Sequence, residues 1–313
     1  MRRFRLLLRW IPLIALVSLG CGREPARVDN PGAAKLRVVT SFLPMQAHTR
    51  AITGDLAIVE QLLSGDTGPH DFQLTPSDVR RVADADLLIV NGAGLEAWLD
   101  DLIASVGRPG LQVVDASADL RLRKNPPALG GTDAGEPGGN PHTWLDPVLC
   151  QQQVRTILDA LRQADPGNEA AYEANSNAYL ERLRDLDAEF RAVLDPLPAK
   201  NLVTFHDAFP YLAARYGLHY VGCVAEFPEK DPSPAQLAAL LDAIRDANAH
   251  VLFAESGYAP ELLKRIADQT GAKVSELDTL EIGQGDASAY LDRMRANLAA
   301  LQAAFARPRP QGP

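Results

Sequence analysis

Two hydrophobic signatures alternate along the chain. Short, nearly unbroken apolar runs such as Leu87-Leu88-Ile89-Val90 predict strands buried on both faces of a sheet. Longer segments with apolar residues every three or four positions predict amphipathic helices. In the first half the pattern predicts strands at Leu36–Thr40, Ala57–Leu63, Asp86–Asn91 and Leu111–Asp115. Helices at Pro44–Thr53, from Thr75 onward and at Gly94–Val106 fall between them. Thr75 is placed to cap its helix, with Pro76 at the first helical position and Asp78 at the third. In the second half strands are predicted at Asn201–Phe205, His219–Val224, His250–Ala254 and Lys273–Leu277. They alternate with helices at Asp207–Tyr216, Ser233–Ala247, Pro260–Thr270 and Ala287–Phe305. Strand–helix alternation implies mostly parallel sheets.

Between the halves, Tyr172, Tyr179, Leu183, Leu186, Phe190 and Val193 mark one face of a single long helix over Asp165–Leu194, stopped by Pro196 and Pro198. At 1.5 Å per residue it is about 45 Å long. The expected fold is therefore α/β: two lobes, each a mostly parallel β-sheet flanked by helices, joined by one long backbone helix. A long surface helix of a single domain is the alternative. The predicted boundaries are 36–164 for the N-terminal lobe, 165–196 for the linking helix and 197–306 for the C-terminal lobe. The tail, 307–313, is expected to be disordered.

The first 20 residues follow a different rule. Arg2, Arg3, Arg5 and Arg9 precede the apolar run Trp10–Leu19, which is too short to span a bilayer, so 1–20 reads as a signal peptide. Cys21 follows Ser18-Leu19-Gly20, a sequence similar to a bacterial lipoprotein box except that Ser18 stands where Leu is usual. A lipid anchor at Cys21 on a flexible tether, 21–35, is then the expected membrane contact, and a soluble secreted protein is the alternative. No later run is long and apolar enough to cross a membrane. Removing 1–20 takes away four of the 31 basic residues and none of the 40 acids, moving the formal charge from −9 to −13. Such a surface argues against nucleic acid as a partner. Cys150 and Cys223 remain in an oxidising compartment, either as a disulfide or as separate thiols.

Of six histidines, three stand out. His70 and His142 each follow a proline in a predicted loop, and His206 ends a predicted strand. Asp278 also ends a strand. Ligands of open α/β sheets collect at the carboxyl ends of strands. If the lobes face each other, the four converge as three imidazoles and a carboxylate, a set that suits Zn²⁺. Lys124–Asn140, with five glycines and three prolines, is expected to be a loop.

Four stretches containing these residues resemble the metal-binding solute receptors of bacterial zinc and manganese ABC importers. They are Pro69-His70-Asp71-Phe72 with Thr75-Pro76-Ser77-Asp78, Pro141-His142-Thr143-Trp144-Leu145-Asp146-Pro147, Phe205-His206-Asp207-Ala208-Phe209, and Leu277-Asp278-Thr279-Leu280. The similarity spans about 36–305. It implies His70, His142, His206 and Asp278 as metal ligands, capture of the metal outside the cytoplasmic membrane, delivery to a membrane permease, and a monomer. His206 stands where manganese receptors tend to carry Glu, which favours Zn²⁺ over Mn²⁺ or Fe²⁺. Many zinc receptors have a His-rich loop where Lys124–Asn140 has no histidine. Thr279 stands where the family usually has Pro. Asp71, Asp146, Asp207 and Glu255 are candidates to orient the imidazoles, and Trp144 to shield the site. No HExxH motif or nucleophile elbow supports the alternative of a zinc hydrolase.

Overall fold

The computed structural model describes residues 34–70, 72–124, 139–198, 200–225, 232–255 and 260–306. Its first sheet is built from β1 (Leu36–Thr40), β2 (Ala57–Gln61), β3 (Leu87–Val90) and β4 (Gln112–Asp115), interleaved with α1 (Leu43–Thr53), α2 (Pro76–Ala83) and α3 (Leu99–Val106). A three-residue 3-10 turn, Thr143–Leu145, leads into α4 (Pro147–Ala164), and α5 (Glu169–Leu194) follows. The second sheet comprises β5 (Asn201–Thr204), β6 (His219–Cys223), β7 (Val251–Glu255) and β8 (Lys273–Leu277), with α6 (Pro210–Arg215), α7 (Pro234–Asp246), α8 (Pro260–Thr270) and the final helix α9 (Ala289–Phe305). Strand orders are β2-β1-β3-β4 and β6-β5-β7-β8, and every pairing is parallel. The two-lobed α/β architecture is thus the expected one. In each sheet the order reverses at the central pair, opening a crevice at the carboxyl ends of the strands.

Local chemistry fixes several of these boundaries. Thr75 and Asp78 form a reciprocal capping box at the start of α2, as Ser233 and Gln236 do at α7. The linking helix begins later than expected. Asp165 does not cap it: Pro166–Asn168 forms a separate 3-10 turn, and the Asp165 carboxylate accepts hydrogen bonds from the Asn168 side-chain amide and the Tyr172 hydroxyl, both at 2.7 Å. The regular helix of 26 residues spans about 39 Å.

Far from being an isolated strut, α5 is packed along its length. It buries Tyr172, Tyr179, Leu183, Leu186, Phe190 and Leu194 against α4, α1 and α9. Phe190 stacks on Tyr216 of the second lobe at 4.8 Å. One continuous apolar cluster runs from Val38 and Leu88 in the first sheet through Leu183 and Met294 to Phe253 in the second. A smaller cluster lies under α7 and α8. Cys150 is a buried free thiol, donating to the Trp144 carbonyl and the Tyr290 hydroxyl at 3.1 Å, so it is not joined to Cys223.

No described helix is long and apolar enough to cross a membrane. The signal peptide, Cys21, the tether up to residue 33, most of the Lys124–Asn140 loop and the 307–313 tail lie outside the described residues.

A hydrophobic core shared by both lobes resists hinge motion, since packed side chains have few alternative arrangements. Metal-free and metal-loaded protein are therefore expected to give superimposable small-angle scattering curves; a marked fall in radius of gyration on loading would contradict this.

Candidate metal centre

Four loops at the carboxyl ends of strands supply the candidate side chains. His70 lies in the loop after β2, where the Trp98 indole donates to the Pro69 carbonyl at 3.2 Å and packs edge-on against Phe72. His142 lies after β4. The Asn91 amide donates to the Pro141 carbonyl at 3.0 Å and is itself fixed by Gln153, in a buried polar network with Ser117 and Thr143. His206 follows β5 and Glu255 ends β7, at the point where the second sheet's order reverses. Glu281 lies between β8 and α9.

His70, His142, His206 and Glu281 each bring one ligand atom to a common point. His142 Nε2 lies 3.4 Å from His70 Nε2 and 3.2 Å from His206 Nε2. Glu281 Oε1 lies 3.2 Å from the His142 nitrogen, 3.4 Å from that of His206 and 3.8 Å from that of His70. Zinc–nitrogen bonds of about 2.0–2.1 Å place the corners of a coordination tetrahedron about 3.3 Å apart. The separations therefore match four donors around a single ion. Neither Glu281 oxygen has a donor in hydrogen-bonding geometry among the described residues, although both are buried. A buried carboxylate in that condition calls for a cation.

The other ring nitrogens of His142 and His206 are already committed. His142 Nδ1 lies 3.0 Å from Asn140 Oδ1, which also accepts the His142 backbone N–H. The Asn140 amide donates to the Asp207 carbonyl at 2.7 Å, so its oxygen must face the ring. His206 Nδ1 pairs with Glu255, whose other oxygen accepts the His206 backbone N–H at 2.9 Å. With Nδ1 donating, the neutral ring directs its Nε2 lone pair to the shared point. Burial drives His142 down to about 3, outweighing the nearby Glu281 carboxylate, so this imidazole is neutral. Burial also acts to lower His206, but the Glu255 and Glu281 charges overcome it and hold its pKa well above the usual histidine range. Burial would raise Glu281; His206 and the other imidazoles outweigh it and hold it ionised.

Asp278, expected as the oxygen ligand, is not brought to the histidines. Its two oxygens pair with Arg293 Nε and Nη2, both at 2.5 Å. It also accepts the Leu280 N–H at 2.8 Å, and Asn297 of α9 binds its backbone N–H and carbonyl. These bonds hold Leu280 in the left-handed region (φ 61°), an uncommon conformation for a branched residue, and the turn aims Glu281 inward. Arg293 reaches past Glu281 to the Ile282 carbonyl at 2.7 Å, gripping the turn on both sides of the carboxylate. Gly283, at φ 120°, admits the guanidinium: a Cβ there would lie 2.6 Å from Arg293 Nη1. Sequence reasoning missed Glu281 because it took the first acid after the strand; the turn places the one three residues later.

Of the candidate orienting acids, Glu255 binds an imidazole directly. Asp207 acts through its carbonyl on Asn140, and its carboxylate accepts from Tyr220. Asp146 caps α4 and pairs with Arg215; Asp71 lies outside the described residues. Trp144 is fully buried, its ring 5.0 Å from that of His142 and its indole N–H on the Thr279 carbonyl, so it both packs and closes the floor of the site. His48 is a core residue bonded to Tyr179.

Donors from loops of both lobes, brought within reach of one ion, are the arrangement of a metal-binding solute receptor. The chain belongs to the family described as zinc-uptake complex component A, periplasmic (ZnuA), whose model matches residues 38–304. It is 34% identical over 298 residues to the high-affinity zinc uptake system protein ZnuA of Bacillus subtilis, covering 92% of this chain and 93% of that protein. It is 32% identical to the iron-binding protein YfeA of Yersinia pestis, over 88% of this chain and 89% of YfeA. Among solved structures, the laminin-binding protein Lmb of Streptococcus agalactiae superposes with a TM-score of 0.77 at 34% identity, covering 86% of this chain and 99% of Lmb.

Glu281→Ala is expected to weaken zinc binding by more than about 100-fold, and Asp278→Asn or Arg293→Gln by about 10–100-fold, the usual effect of losing a positioning contact. Competition against a fluorescent chelator measures each; an Asp278→Asn loss exceeding that of Glu281→Ala would restore Asp278 as the ligand.

Proposed function

We infer that this chain captures Zn²⁺ outside the cytoplasmic membrane through His70, His142, His206 and Glu281 and delivers it to the permease of an ABC importer. The observation that carries the reading is the convergence of three Nε2 atoms and one carboxylate oxygen at tetrahedral spacing, with the far nitrogens of His142 and His206 committed elsewhere and the Glu281 oxygens without donors among the described residues. Four protein donors fill a tetrahedron. A catalytic zinc keeps a position open for water, so the geometry serves holding a metal rather than using it. The chain is a transport receptor, not an enzyme. The metal is cargo, and a role outside the cytoplasmic membrane agrees with the signal peptide and the lipid anchor at Cys21 expected from the sequence. All four donors come from one chain, so the site needs no second copy, in keeping with a monomer.

A second reading, Mn²⁺ or Fe²⁺ as cargo, rests on one feature. Both Glu281 oxygens are buried without donors, so bidentate binding would give a five-coordinate set of three nitrogens and two oxygens. The two readings separate on selectivity. Elemental analysis followed by calorimetric titration is expected to show zinc bound one to one and displacing manganese; manganese binding at least as tightly as zinc would overturn the zinc assignment.

The imidazoles must be neutral to ligate, so protons compete with the metal. The sign follows: lowering pH through the histidine range favours the protonated, non-ligating form and weakens binding. His206, held well above the usual histidine range, is the ligand that gives up a proton as zinc enters. Apparent zinc affinity is expected to rise steadily from pH 5 to pH 8, and calorimetry in buffers of different ionisation enthalpy should register proton release. An affinity independent of pH would contradict three imidazole ligands.

A further inference from the structure

A pocket of about 310 Å³ is lined by Arg121, Arg123, Arg191, Arg215, Asp146 and Tyr211, among others. These residues come from both lobes and from the helix between them. Arg121 and Arg123 follow β4, Arg191 lies on α5, and Tyr211 and Arg215 belong to α6. Four guanidinium groups thus face one carboxylate within the pocket. The Arg215 charge is met by Asp146, with Nε 3.0 and 2.9 Å and Nη2 2.8 Å from its oxygens. Arg191 pairs with Asp187 at 3.1 Å and lies over the Tyr216 ring. The side chains of Arg121 and Arg123 have no ion-pair partner among the described residues. Among the described residues the pocket therefore holds two exposed guanidinium groups with no ion-pair partner, on a chain whose net charge is −9.

A local reversal of sign on an acidic protein, in a concave space at the lower end of small-ligand pocket volumes, is the arrangement that recognises an anion. Guanidinium forks match carboxylate and phosphate oxygens in pairs. We propose that this pocket is a binding site for a small, multiply charged oxyanion of the phosphate or dicarboxylate class, which bridges the two lobes across the linking helix. The occupant neutralises Arg121 and Arg123 on the first lobe while bonding to Arg191 and Arg215. It also sits close to the metal centre. The Tyr211 hydroxyl accepts the Arg123 backbone N–H at 2.9 Å and donates to the Asn140 carbonyl at 2.7 Å, and the Asn140 side chain orients His142.

The test is thermal unfolding of the metal-free chain in inorganic phosphate, malonate, acetate or chloride at matched ionic strength. Working without metal keeps these anions from sequestering zinc and makes the result independent of the cargo. A ligand that binds only the folded state stabilises it, so phosphate or malonate is expected to raise the melting temperature about 2 °C or more above acetate. The stronger of the two assigns the class. An Arg121→Gln/Arg123→Gln double variant, whose altered side chains make no described ion pair, is expected to melt like the parent in chloride and to lose the anion-specific rise. Calorimetric titration of the unaltered chain with the same anions gives a second reading that needs no variant. Equal stabilisation by monovalent and multivalent anions, an undiminished rise in the double variant, or no heat of binding would each overturn the proposal.

Discussion

Everything at this site depends on one constraint: three imidazole nitrogens and a carboxylate oxygen must be held within 4.8 Å of one another before any metal is there to reward them. Left alone, the rings would rotate to find donors, and the carboxylate would seek water. The structure forbids both. Asn140 and Glu255 occupy the far nitrogens of His142 and His206. The Arg293 grip keeps the Glu281 turn closed. With the histidines neutral, a divalent cation meets one negative charge on Glu281 and one on Glu255, so the loaded site is neutral. Burying either carboxylate uncompensated would cost several kcal/mol. The cation is thus the missing member of an otherwise finished arrangement.

The same constraint explains why the lobes are not free to swing. Glu281 lies in a loop that belongs to the second lobe by sequence but is bonded to the first. Gln61 donates to the Gly283 carbonyl at 2.9 Å, Arg50 to that of Gly285 at 2.7 Å, and Trp144 to that of Thr279 at 2.7 Å. The apolar cluster beneath is continuous across the linking helix. Donor positions set by such a frame cannot adjust to an ion with different preferred distances. Selectivity among divalent metals then comes from geometry as well as from ligand type, which matters because intrinsic affinities follow the metal rather than the protein.

Much of this was legible in the chain itself, for identifiable reasons. Strands buried on both faces read as apolar runs, and Thr75-Pro76 and Ser233-Pro234 mark helix starts because their caps are built from adjacent residues. The three histidines stand out because two follow a proline in a loop and the third closes an apolar strand. What was not legible depended on contacts distant in sequence. Asp278 resembles a ligand, yet it is captured by Arg293, 15 residues away, and Glu281 is delivered by the left-handed turn at Leu280, which no apolar period encodes. Likewise Asp165 looks like a helix cap, but it is claimed by Tyr172 one face further on. Each miss is a polar side chain with two possible partners, where tertiary structure chose the one that periodicity cannot see.

The four donors are not equivalent, and their differences follow from how each is held. The His142 and His206 side chains are 4% and 0% exposed, their rings locked from behind. His70 retains 8% side-chain exposure and lies on a loop anchored mainly through Pro69 and Phe72, which places it at the rim. An ion approaching from solvent therefore meets His70 first and the fixed pair behind it next. Glu281, fully buried, joins His206 from the second lobe and is the one carboxylate among the four converging side chains. A neutral donor in its place would leave two positive charges facing Glu255 alone, through an imidazole, so the oxygen ligand contributes mainly through charge while the histidines contribute position.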